Sequence, residues 1–198
     1  MEKYCEITSK SLIDFEEIKF ILANNNIDLV SSNQIQEKIF LKNDVSFANA
    51  NYQTIMDNSL KLSKINDKRY LSYTSGNDIE KKTTRIEINN EDACERFLNH
   101  IGYKEVCLLE LDMYVYSDGK YELNIINLIN IGLYLNVKKS DSNVDELKGI
   151  LNSFNIPYDE DVCNQSIEKL FINKLRRQMR WVIKLVFKIK KKRLLKIV

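Results

Sequence analysis

The chain has 198 residues, 44% of them hydrophobic and 29% charged, with five Gly and one Pro, which suits one soluble globular domain and excludes collagen-like and Pro/Gly-rich disordered chains. The net charge of +2 conceals an uneven distribution: residues 174–198 hold 11 of the 30 basic residues and no acid, which leaves the body at −9. An acidic body with a basic appendage excludes a uniformly basic nucleic-acid-binding domain.

In chain order, a short strand over Tyr4–Lys10 leads to a helix in which Ile13, Ile18, Ile21 and Leu22 recur at helical spacing, stopped by Asn24-Asn25-Asn26. Asp14, Glu16 and Glu17 suit its first turns, where acids oppose the helix dipole. Strand-like segments follow at Gln36–Leu41, Ser59–Ser63, Arg69–Thr74 and Thr83–Ile88. A second helix begins near Glu91 and ends at His100-Ile101-Gly102, a C-cap signal. Val106–Tyr116 and Lys120–Asn127 form a hairpin across Ser117-Asp118-Gly119, where Asp-Gly favours positive φ. A strand over Gly132–Lys138 precedes helices over Val144–Phe154 and Asn164–Phe171. The pattern is α+β, an antiparallel sheet with flanking helices.

Motifs for several chemistries are missing. There is no Gly-rich phosphate loop, HExxH or GxSxG. Cys5, Cys94, Cys107 and Cys163 lack metal-site spacing and read as small buried hydrophobes of a reducing compartment. The single histidine, His100, sits at a helix end, which removes most Ser/His and Cys/His mechanisms. Met1–Lys10 carries charges where a signal peptide needs an apolar stretch, and no apolar run reaches the length of a spanning helix. These features predict a cytoplasmic protein, peripheral at a membrane if its tail binds one.

Ordered fragments along residues 1–172 carry a family resemblance. Glu6-Ile7-Thr8-Ser9-Lys10 resembles an ExExK strand, Tyr70-Leu71-Ser72-Tyr73 an LTYKG strand, and Arg85-Ile86-Glu87 an RxE strand. Ile101-Gly102-Tyr103 stands for an LGF turn, and Leu128 to Asn136, with Gly132 and Tyr134, for a VxxLGxFxE segment. Leu147 to Ile156 resembles the helix that follows it. The ordered set resembles the CYTH family, the triphosphate-tunnel fold of class IV adenylyl cyclases and thiamine triphosphatases. The resemblance implies an antiparallel tunnel barrel whose basic residues hold a polyphosphate and whose acids hold Mg2+ or Mn2+.

On that alignment, Lys10, Lys61 and Arg85 would bind the triphosphate substrate, and Glu6 and Glu87 the metal. Other positions depart from the pattern. Thr8 replaces an acid, Thr74 a lysine, Ile126 an aspartate, and Asn136 and Lys138 the two acids of the ExE pair; Lys61 and Ser63 stand near an expected arginine pair. Glu110 and Asp112 replace an inward basic pair, reversing its sign. The lumen charges then cancel, with Lys10, Lys61, Arg85 and Lys138 against Glu6, Glu87, Glu110 and Asp112. That balance favours ion pairs filling a disused tunnel over a rearranged cation or amine site. Strand alternation explains Tyr114, Tyr116, Tyr121 and Tyr134 without an aromatic ligand wall.

The tail repeats Arg176, Arg180, Lys184, Lys188, Lys192 and Lys196 every four residues, opposite Leu175, Met179, Val182, Val186 and Ile189. This basic amphipathic helix, residues 173–198, has the composition of a segment docking on an anionic membrane surface or an acidic protein partner. Its broad apolar face speaks against nucleic acid. The expectation is a degenerate, non-catalytic CYTH-like protein without a cofactor; the alternative is a triphosphate hydrolase or adenylyl cyclase using Mg2+ or Mn2+.

Overall fold

The computed structural model describes residues 2–76, 80–160 and 169–177. The chain divides into two compact units, Met1–Ser166 and Ile167–Val198. In the second unit, residues 169–177 are helical. Arg180, Lys184, Lys188, Lys192 and Lys196 of the tail lie outside the described residues, as do Cys163 and most of the expected helix over Asn164–Phe171.

The first unit begins with β1 (Glu2–Ser11) and α1 (Phe15–Asn24). Asp14 caps α1 by accepting from the Glu17 N–H at 2.9 Å while the Glu17 carboxylate accepts from the Asp14 N–H, so two donors that the helix itself cannot satisfy find partners. Then come β2 (Asp28–Lys42), α2 (Tyr52–Asp57), β3 (Ser59–Ile65), β4 (Lys68–Gly76) and β5 (Glu80–Ile88). They are followed by α3 (Glu91–His100), β6 (Tyr103–Ser117), β7 (Glu122–Leu128), β8 (Gly132–Lys139), α4 (Val144–Ser153) and the two-residue β9 (Tyr158–Asp159). Gly119, at φ +87°, supplies the left-handed step that the turn between β6 and β7 requires.

Among the described residues, nine strands belong to one antiparallel sheet in the order β5-β4-β3-β2-β6-β7-β8-β1-β9. β1 also pairs with β5, from Glu2↔Thr83 to Cys5↔Glu80, so the sheet curls until its first and eighth strands lie side by side. This is the α+β architecture expected of the sequence.

α1, α3 and α4 cover one face of the sheet, hereafter the outer face. Ile18 and Leu22 of α1 and Leu147 and Leu151 of α4 pack with Cys5, Ile7, Leu123, Ile125, Leu135 and Val137 of the strands. Burying each such side chain contributes about 1.5–3 kcal/mol. Beneath α3, a smaller cluster joins Phe40, Leu62 and Leu98. α3 is also pinned by charge: Lys38 of β2 donates to Glu91 at 2.9 Å and to Glu95, and Arg69 of β4 donates to Glu91 at 3.0 Å. These cations hold the Glu91 carboxyl below the usual glutamate range, Lys38 being the larger cause, and the two carboxylates push the Lys38 ammonium up.

Candidate functional site

Residues directly opposite one another in antiparallel strands share a face, so the register alone assigns the inner surface of the curl. With Ile7, Ile125 and Val137 outside, Glu6, Thr8 and Lys10 of β1 lie inside with Tyr134, Asn136 and Lys138 of β8 and Glu122, Asn124 and Ile126 of β7. Continuing around the curl, β3 contributes Ser59, Lys61 and Ser63, β4 contributes Lys68, Tyr70, Ser72 and Thr74, and β5 contributes Thr83, Arg85 and Glu87. The register places Lys10, Lys61, Arg85, Glu6 and Glu87 on one face, together with Thr8, Thr74, Ile126, Asn136 and Lys138.

Two residues depart from it. β6 pairs with β7 as Leu111↔Leu128, Asp112↔Asn127 and Met113↔Ile126, which turns Glu110 and Asp112 to the outer face and leaves Leu109, Leu111 and Met113 inside. Glu110 is exposed and accepts from Gln36 at 2.9 Å, and Asp112 is the acceptor for Asn127 at 3.4 Å. With Gln34 and Lys64 they line an outer cleft of about 300 Å³. The physical reason is burial: Leu109 and Leu111 are 2% and 7% exposed, and the opposite register would bury two carboxylates in their place. A register irregularity between Ile39 and Phe40, where β6 skips Val106, sets this phase.

The inner surface is consequently divided. β2 and β6 present Ile35, Ile39, Leu109 and Leu111, whereas β3, β4, β1 and β8 present hydroxyls, amides and charges. Among the described side chains the register places Lys10, Lys61, Lys68, Arg85, Lys104 and Lys138 on the inner face as cations, and Glu6, Asp28, Glu37, Glu87, Glu122 and Asp159 as anions. Glu37, missed by the sequence reading, is the deepest of the paired acids: it lies 3.3 Å from the Lys61 ammonium, with side chains 16% and 6% exposed, and accepts from the Ser63 hydroxyl at 3.1 Å. Its alternation with Ile35 and Ile39 was the available signal. Lys138 lies 3.8 Å from Glu122 and 4.3 Å from the centre of the Tyr4 ring, and Lys68 lies 4.0 Å from Glu87. Arg85 stacks on Tyr70 at 5.1 Å and, with Glu87, is exposed. Tyr4, Glu122 and Lys138 share a cleft of about 250 Å³ with Lys120 and Lys139.

Where the resemblance expected metal-binding acids, the structure builds an amide network. Asn124 donates to Asn136 at 3.0 Å, and Asn136 donates to Thr8 at 3.0 Å and to the Ile7 carbonyl at 3.3 Å. The Asn124 Oδ1 is buried without a hydrogen-bond partner. Neutral amides and one lysine are poor ligands for a hard divalent cation, which demands carboxylate and carbonyl oxygens around one point. Among the described residues no three His, Cys, Asp or Glu side chains converge on one. The donor set does not fit Mg2+ or Mn2+.

Nearby, burial pushes the Cys107 thiol up to about 12, with the Glu37 and Glu105 carboxylates adding to the effect, so the thiol stays neutral. Among the described residues no helix is long and apolar enough to cross a membrane.

A curled antiparallel sheet with helices on one face and a polar interior on the other defines a tunnel-type α+β protein. The fold is the CYTH type, as comparison with solved structures shows. A candidate adenylate cyclase from Vibrio parahaemolyticus is similar with a TM-score of 0.66 and 12% identity over 86% of this chain and 98% of that one. A candidate adenylyl cyclase from Hippeastrum, described as having a dominant triphosphatase activity, gives 0.54 and 13% over 80% and 90%. A chain of the Schizosaccharomyces pombe Mediator head module gives 0.55 and 11% over 76% and 92%. No protein-family model matches the sequence, and no curated protein is similar to it.

Proposed function

We propose that this chain is a degenerate CYTH-fold protein with a non-catalytic binding or scaffolding role, and that its basic C-terminal segment docks on an anionic membrane surface or an acidic protein partner. The observation that carries the reading is the pairing of inner cations with inner acids: Lys61 with Glu37 and Lys138 with Glu122. A polyphosphate entering this interior would have to displace carboxylates and bring its own charge into a partly desolvated space, where each uncompensated ion costs several kcal/mol. The Thr8–Asn136–Asn124 network supports the same reading, because it offers no carboxylate to activate a phosphate. Similar folds in a triphosphatase and in a chain of a large assembly are compatible with either role.

A second reading, a metal-dependent triphosphate hydrolase or class IV-type adenylyl cyclase, is favoured by one observation. Lys10, Arg85, Glu6 and Glu87 are retained on one inner face. Phosphate release from tripolyphosphate, ATP and thiamine triphosphate, assayed with Mg2+ or Mn2+, separates the two. Turnover at the level of buffer blanks is expected; robust turnover that disappears in Arg85→Ala would overturn the non-catalytic reading.

A further inference from the structure

One edge of the curled sheet is open. β4 pairs with β5 from Gly76↔Lys81 to Arg69↔Ile88, whereas β1 covers the opposite edge of β5 only from Glu80 to Thr83. Among the described residues no strand pairs with Thr84–Ile88 on that side. Arg85, Ile86 and Glu87 are exposed there, Ile86 at 57%, and Tyr73 of β4 lies exposed diagonally beside Ile86 on the outer face. An edge of this kind presents unpaired N–H and C=O groups to any chain able to extend it. No Pro interrupts it, and the pairing with β4 runs without a register shift.

The side chains on this edge are complementary to themselves. Consider two copies of β5 laid antiparallel about a two-fold axis at Ile86. Arg85 then stands opposite Glu87 of the second copy, and Glu87 opposite Arg85 of the second copy, both on the inner face, while the two Ile86 side chains meet on the outer face. Opposite charges directly across strands attract and apolar pairs pack. Moving the axis by one residue either way sets Arg85 against Arg85 or Glu87 against Glu87, so like charges reject the neighbouring registers. Among the described residues, Glu87 has only the 4.0 Å contact with exposed Lys68, a pair of little strength that leaves it able to turn towards a partner.

We propose that β5 is a self-association edge along which a second copy of this chain adds antiparallel over Thr84–Ile88, joining two sheets across a two-fold axis at Ile86. The contact is isologous and closes on itself, giving a dimer rather than a fibre. A ladder this short binds weakly, so association appears in the micromolar range and above. The inference is independent of whether the interior is catalytic.

The test is sedimentation equilibrium of the full chain across micromolar to millimolar concentrations. Wild type is expected to dimerise. Arg85→Glu and Glu87→Arg each turn two attractive cross-strand pairs into repulsive ones and weaken association by roughly tenfold or more. An equimolar mixture of the two variants restores opposite charges at both pairs and recovers wild-type association. Ile86→Lys, at an exposed position, abolishes it with the melting temperature little changed. The proposal is overturned if wild type is monomeric throughout, if either charge reversal leaves association unchanged, if the mixture fails to recover it, or if Ile86→Lys still dimerises.

Discussion

Replacing Lys61 by Met tests whether the interior is held by its buried ion pair. Met keeps the length and apolar stem of Lys61 but removes the ammonium 3.3 Å from Glu37, leaving a carboxylate only 16% exposed with the Ser63 hydroxyl. Removing one partner of a buried pair costs about 3–5 kcal/mol, because the survivor is desolvated without compensation. For a domain of this size each kcal/mol lowers the melting temperature by roughly 2–4 °C, so Lys61→Met should melt about 6–20 °C lower. Glu37→Gln in the same chain removes the stranded charge and should recover most of that loss, a coupling of about 2 kcal/mol or more between two residues in contact. Circular-dichroism melts of wild type, both single variants and the double variant measure it. A drop under about 3 °C for Lys61→Met, or a double variant no more stable than that single, would refute the idea that this pair is buried and mutually dependent.

Three further outcomes follow from the structure. Glu91, held below its ordinary range chiefly by Lys38 and then by Arg69, contributes stability above the unfolded glutamate value of about 4.3 that is lost as pH falls through its lowered folded value. Glu91→Gln should therefore cost about 1–2 kcal/mol at pH 7 in urea titrations and progressively less below pH 4; a pH-independent cost would contradict the assignment. Cys107, its thiol pushed up to about 12, should alkylate with iodoacetamide at pH 8 on the order of a thousandfold more slowly in the native protein than in urea, and native labelling at the unfolded rate would show the thiol to be exposed. For the tail, replacing Lys184, Lys188 and Lys192 by Gln should weaken binding to anionic vesicles at low salt by about 100-fold, near 1 kcal/mol per residue; unchanged flotation would end the membrane reading.

What could be read from the residues is mostly local. The acids Asp14, Glu16 and Glu17 at the start of α1, the Asp-Gly turn before β7 and the C-cap at Gly102 act over four residues or fewer, and each lies at its expected place. Other elements escaped because their signals are weak. The first half of β2, Asp28–Gln34, lacks apolar alternation, since its inner positions are Ser31 and Asn33. α2 is a six-residue helix capped by Asn51, too short for a periodic stripe.

The inner face was legible on β1, β5 and β8, where alternation follows the ordered motifs through an unbroken strand. It was not legible on β6. A single skipped residue near Val106 changes which alternate set faces inward, and sequence spacing carries no mark of it. The sequence by itself determined the α+β class, the order of the longer elements and the division between an acidic body and a basic tail, because these rest on composition and short-range pattern. Only the tertiary structure decided that Glu110 and Asp112 face outwards, that Glu37 and Glu122 take their place as inner acids, and that Thr84–Ile88 forms an open edge. Each depends on register between strands far apart in the chain, which burial of Leu109 and Leu111 settles collectively and no local stretch of residues can.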